Sequence, residues 1–137
     1  MRKDELLLQS EVVSECRLIA AGIHPEWPGK ALPCLDLLRC SLNGMRMKPR
    51  QVIEAKASGM VEGEPDLFLP AARDGYAGLF VEMKVPGRIR LSEDQKEVHA
   101  LLRAEGYRVE VCWDRVDTVA LIVSYVLAVP TWCRRSL

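Results

Sequence analysis

The sequence predicts an α/β fold, on three observations. An N-terminal segment carries apolar residues at helical spacing. Two short apolar runs with strand character follow a stretch rich in glycine and carboxylates. A cleanly alternating strand then lies between two further helical segments. The order is helix, irregular stretch, helix, strand, strand, helix, strand, helix, with no repeat or linker to divide it. The 137 residues, 49% of them apolar, suit one domain with its core at about 4–127 and a short tail.

The elements follow from local chemistry. Residues 4–21 are expected to be helical, because Leu8, Val12, Cys16 and Ile19 recur at four, four and three, and Gly22 can end the helix. His24-Pro25, Pro28-Gly29 and Pro33 keep 23–34 irregular. Residues 34–39 suit either a short strand or one helical turn, and Asn43-Gly44 signals a turn. A second helix is expected over 48–58, with Pro49 tolerated in its first turn and Gly59 ending it.

GMVEGEPDLFLP leads into a strand at 66–69 closed by Pro70, and LFVEMK at 79–84 reads as a central strand. Ser92 with Gln95 three residues on forms a capping box for a helix to about Glu105, ended by Gly106. Tyr107, Val109, Val111 and Trp113 alternate with Arg108, Glu110 and Cys112, so 107–113 is expected to be a strand with Trp113 on its core face. Residues 117–127 read best as a helix, although the β-branched residues also allow a strand, and the tail from 128 is expected to be irregular.

Composition removes several classes of function. The N-terminal run breaks at Gln9 and Glu11, so no secretory signal is expected, and no apolar stretch approaches a membrane span. Five cysteines show no CxxC and no zinc-like spacing to His24 or His99, which predicts free, mostly buried thiols in a reducing, cytoplasmic setting. Nineteen Lys and Arg balance nineteen Asp and Glu. Zero net charge neither supports nor excludes a nucleic-acid partner, because recognition depends on where the charge sits.

The chemistry gathers in the second half of the chain. Glu82 and Lys84 stand two apart on a strand and so share a face, emerging from an apolar run. With Asp66 they could ligate a hard divalent cation and stabilise charge on a phosphate, although from spacing alone a surface ion pair is the commoner outcome, since ExK often occurs by chance. Proline and glycine in Gly63-Glu64-Pro65-Asp66 hold Asp66 in place, and Gln95 lies where a first helical turn can face the strand ends. Basic residues without intervening acids occur at Arg39, Arg46, Lys48 and Arg50, and again at Lys84, Arg88 and Arg90. His24 and His99 read as structural residues. Trp132 lies in an exposed-looking tail beside Arg134 and Arg135.

Taken in order, ELLLQ at 5–9, Asn43-Gly44-x-Arg46, Lys56 through Gly59, GEPD at 63–66, EMK at 82–84, GRIRLSEDQ at 87–95 and Gly106-Tyr107 resemble the VRR-NUC domain. This is a compact branch of the PD-(D/E)xK nuclease superfamily, often a small phage or prophage protein. The resemblance spans about residues 4–127. It implies a restriction-endonuclease-like core with a central mixed sheet flanked by helices, and hydrolysis of DNA phosphodiesters with Mg²⁺ or Mn²⁺.

By that resemblance Asp66 and Glu82 are metal ligands, Lys84 positions the attacking water, and Gln95 supports the centre. Glu5 is the first-helix carboxylate and a further ligand, with Glu11 as its rival. Asn43, Arg46, Lys56, Arg88 and Arg90 are the implied substrate contacts. Similarity to Holliday-junction resolvases implies a homodimer on branched or duplex DNA, with the 125–129 run and the tail as its interface. Two other readings fit the composition: a non-catalytic DNA-binding module of the same fold, and an assembly subunit using the apolar C-terminal segment.

Overall fold

The computed structural model describes residues 3–41, 47–87 and 90–136. Helix α1 (Lys3–Ala21) is followed by an irregular stretch and a 3-10 turn, Pro33–Leu37. A two-residue strand β1 (Arg39–Cys40) comes next, so residues 34–39 contain a helical turn and then the start of a strand. Helix α2 (Pro49–Ala57), strands β2 (Leu67–Leu69) and β3 (Leu79–Met83), helix α3 (Glu93–Ala104), strand β4 (Arg108–Cys112) and helix α4 (Arg115–Leu127) complete the order. The 115–127 segment is a helix despite its β-branched residues, with Asp114 capping it by accepting from the Asp117 N–H. The tail is not irregular as expected: Thr131–Ser136 winds as a 3-10 helix.

The sheet is mixed, in the order β1-β2-β3-β4. The first two pairings are antiparallel and β3-β4 is parallel, with α3 as the crossover that a parallel pair requires. All five residues of β3 are buried, because the strand has neighbours on both edges and helices over both faces. Leu67, Leu69, Leu79, Val81 and Met83 join one core with Val12, Cys16 and Ile19 of α1 and with Val119, Ile122, Val123 and Val126 of α4. On the opposite face Phe68 stacks on Phe80 at a centroid distance of 4.3 Å, and Tyr107 meets Phe80 edge-on at 5.2 Å. Glu82 lies two residues beyond Phe80 and therefore emerges on this second face, towards α3.

Two expectations about β4 fail. Trp113 is 42% exposed and lies beyond the end of β4, not on a core face. In β4 itself Val109 and Cys112 are buried while Val111 is only half-buried. Helices cover both faces of the sheet, so alternation in β4 does not divide core from solvent. The five cysteines are free, but only Cys16 and Cys112 are buried; Cys34 and Cys133 are half-buried and Cys40 is exposed. Burial pushes the Cys16 thiol up to about 12, which keeps it protonated and inert.

Tyr125 is buried among these apolar residues, and its hydroxyl donates to the Ala71 carbonyl at 2.6 Å. This bond ties α4 to the segment after β2. Tyr125→Phe is expected to cost roughly 1–2 kcal/mol by leaving that carbonyl unsatisfied. An unchanged urea midpoint would show that the bond contributes nothing.

Candidate functional site

The site begins with the stripe that α1 turns inward. Glu5, Gln9, Val12, Cys16 and Ile19 are all buried, at spacings of four, three, four and three. The apolar part of this stripe docks on the sheet, and its polar start extends towards the strand ends. Glu5 is 7% exposed whereas Glu11 faces solvent, so burial distinguishes the two first-helix carboxylates.

Asp66 ends the GEPD loop at the start of β2, and Glu82 is the fourth residue of β3. Both are buried, at 8% and 2% exposure. Asp66 Oδ2 accepts the Met83 N–H at 2.7 Å, which fixes the carboxylate beside the neighbouring strand. Burial first, then the neighbouring Glu82 and Glu5 carboxylates, raise the Asp66 carboxyl to about 7 against the opposing Met83 N–H. Two carboxyl groups held this closely out of water resist ionising together.

Lys84 follows the end of β3, and its backbone N–H donates to the Cys112 carbonyl at 2.8 Å, so the chain is still held beside β4. Its ammonium donates to Gln95 Oε1 at 3.2 Å and stands 3.8 Å from Glu82 Oε1. The Gln95 amide donates to that same Glu82 oxygen at 2.7 Å. The capping box places Gln95: Ser92 Oγ accepts the Gln95 N–H, and Gln95 Oε1 accepts the Ser92 N–H. One side chain therefore closes the start of α3 and bridges Glu82 to Lys84.

Gly63 brings the GEPD loop against this same turn. Its φ is +85°, and a Cβ there would stand 2.4 Å from the Asp94 carbonyl oxygen and 2.8 Å from the Gln95 nitrogen. No side chain fits between the loop and α3.

The structure thus brings Glu5, Asp66, Glu82, Lys84 and Gln95 to one end of the sheet. His99, expected as a structural helix residue, stands beside them. It is fully buried, and its Nε2 stands 3.5 Å from Glu82 Oε2. A Gln-x-x-x-His spacing on an expected helix was the available signal, since residues four apart share a face. Asn43, Arg46 and Arg88 lie outside the described residues. Lys56 is exposed and paired with Glu62, and Arg90 is exposed.

Among the described residues, no group of three or more His, Cys, Asp and Glu stands close enough to form a ready metal cluster. The donor set still suits a hard divalent cation. Asp66 and Glu82 offer carboxylate oxygens, and Glu82 Oε2 is buried without a hydrogen-bond partner.

A cavity of about 330 Å³ opens beside Asp66, lined by Arg39, Ser41, Glu64, Pro65 and Phe68 among others. A larger groove of about 600 Å³ lies between α1 and α4, lined by Glu15, Trp27, Val116, Val123 and Leu127, and includes none of the site residues. No helix among the described residues is long and apolar enough to cross a membrane.

The mixed sheet with its flanking helices and the acidic end of β3 define a restriction-endonuclease-like core. A family model for the VRR-NUC domain matches residues 24–115, and the chain belongs to the VRR-NUC family of nuclease-type domains. The structure is similar to a solved structure described as a VRR_NUC domain protein. The sequences are 24% identical, the match covers 95% of this chain and 93% of the other, and the TM-score is 0.69. That likeness carries the fold. No curated protein matches the sequence.

Proposed function

We propose that this VRR-NUC domain is a Mg²⁺- or Mn²⁺-dependent nuclease that hydrolyses DNA phosphodiester bonds at the end of β3. The observation that carries this reading is the buried Asp66–Glu82 pair, joined to Lys84 through Gln95. A structural ion pair at a strand end would be solvated; here two carboxyl groups are kept out of water at a cost to Asp66 ionisation.

Asp66 and Glu82 would hold a divalent cation, and Glu5 would add negative charge from α1. A divalent cation bound there supplies Lewis-acid polarisation of the phosphate and eases deprotonation of water. The Lys84 ammonium would orient the attacking water and offset the charge that grows on the phosphate. Gln95 bonds both Glu82 and Lys84 and so keeps the carboxylate and the ammonium in mutual register. Asn43, Arg46, Arg88 and Arg90 are assigned to the DNA backbone, with Lys56 at the periphery.

The preferred substrate is branched DNA of the Holliday-junction kind, cut by a homodimer that presents two sites to symmetric strands. Exposed Val116, Leu127, Val129 and Trp132 support a second subunit on the α4 side. A solution mass equal to one chain, with and without DNA, removes the dimer.

Incubation with linear, flapped, splayed and four-way DNA, in Mg²⁺, Mn²⁺ or EDTA, tests the activity and reads out substrate shape together. Glu82→Gln and Lys84→Ala are expected to abolish cutting while retaining DNA binding in a mobility-shift assay. Full cleavage by either variant removes the assignment, and binding without cleavage by the wild type makes the domain a DNA-binding module.

A further inference from the structure

Glu82 is held unevenly. Its Oε1 accepts from Gln95 and lies near Lys84, whereas Oε2 is buried without a hydrogen-bond partner. Opposite Oε2 stands His99, 0% exposed, with neither ring nitrogen hydrogen-bonded and Nε2 at 3.5 Å. An unpaired carboxylate oxygen and an unpaired imidazole are each costly to bury, and here the two orphaned atoms face one another. A small rotation of either side chain turns the approach into a hydrogen bond. Of the two neutral tautomers, only the one with its proton on Nε2 directs a donor at Oε2; the other sets two lone pairs against each other.

We infer that His99 is a positioning residue of this site, holding Glu82 Oε2 through its Nε2–H while Gln95 holds Oε1. The inference rests on the nuclease reading above. Gln95 and His99 stand four apart on α3, so one face of one helix grips both oxygens of the carboxylate. The grip sets the carboxylate plane and so the direction in which Glu82 presents a lone pair to a cation. Groups that orient metal ligands in this way are commonly worth 10- to 100-fold in affinity.

The test compares the wild type with His99→Leu, His99→Gln and His99→Asn. The readouts are Mn²⁺ affinity from the electron paramagnetic resonance of free Mn²⁺, kcat and KM for the cleaved DNA, and thermal melting. A Gln amide nitrogen reaches the place of Nε2, and an Asn amide reaches only that of Nδ1. His99→Leu and His99→Asn are expected to weaken Mn²⁺ binding about 10- to 100-fold and to lower kcat with little change in KM, while His99→Gln recovers most of both. If His99→Leu fails to fold, the Gln and Asn variants carry the comparison. Long-range ¹⁵N–¹H spectra of the metal-free protein should show Nε2 as the protonated nitrogen.

Wild-type Mn²⁺ affinity and kcat in His99→Asn, or a proton on Nδ1 alone, overturns the inference and leaves the nuclease reading standing. A wild type that neither binds Mn²⁺ nor cuts DNA overturns both.

Discussion

Asp66→Asn is expected to abolish cleavage and, at pH 8 without metal, to make the protein more stable. Both effects come from one carboxyl group. Burial and the neighbouring Glu82 and Glu5 raise Asp66 from an ordinary carboxylate value to about 7. A raised value means that the folded state holds the proton more tightly than the unfolded chain does. The associated stability is fully present below the unfolded carboxylate pKa, near 4, and is lost as pH rises through about 7.

Converted in full, that shift corresponds to up to roughly 4 kcal/mol; because Glu82 shares the load, a gain on the order of 2 kcal/mol is expected from the variant at pH 8. Asparagine keeps an acceptor for the Met83 N–H and can donate to Glu82, so it imitates the protonated acid without the titration. In EDTA, the wild-type Tm should fall between pH 5 and pH 8 while that of Asp66→Asn stays level, the two differing by roughly 5–10 °C at pH 8. Mn²⁺ at pH 8 should raise the wild-type Tm and leave the variant's unchanged. Cleavage should fall by about 10²–10³-fold or more, the scale of losing one group that stabilises transition-state charge. A variant less stable than the wild type at pH 8 would mean that Asp66 is a favourable ionised partner and not a strained ligand.

Gly63→Ala is the second large effect. Its positive φ alone costs an alanine about 1–2 kcal/mol, and the new Cβ would stand 2.4 Å from a backbone oxygen that cannot rotate away. The α3 start must shift, for an overall cost of roughly 3 kcal/mol or more and a Tm drop on the order of 10 °C. Gly59 is the control: its φ is +110°, but a Cβ there meets nothing within 4 Å, so Gly59→Ala pays only the backbone term. Cleavage should fall in Gly63→Ala alone, because Gln95 lies on the displaced turn. Equal losses of stability in the two variants would show that close approach to α3 contributes nothing.

Much of this arrangement was legible in the chain. The helical stripe from Leu8 to Ile19, the capping box at Ser92 and Gln95, and the apolar run before Glu82 are local patterns, and local backbone chemistry decides them. Met83 lies on the opposite face of β3 from the acid and the lysine, as an alternating strand requires. Gly63 and Pro65 announced a constrained loop ahead of Asp66. Trp113 falls outside the core because a period of two says which residues share a face, and not whether that face or the strand's end is covered.

The position of His99 beside Glu82 is hidden from the sequence for a related reason. Its helix and spacing were visible, but nothing local states that the adjacent strand presents a carboxylate to that face. The ordered residue types, an acid after GxP, an acid and a lysine two apart, and a glutamine at a helix start, were set by the sequence itself, because each depends on neighbours within a few positions. The burial of Asp66, the single bridge from Gln95 to both Glu82 and Lys84, and the approach of His99 to the second Glu82 oxygen depend on strand register and on how α1 and α3 pack over the sheet. Tertiary structure alone decided those, since the electrostatic environment of a carboxylate comes from what folding brings near it in space.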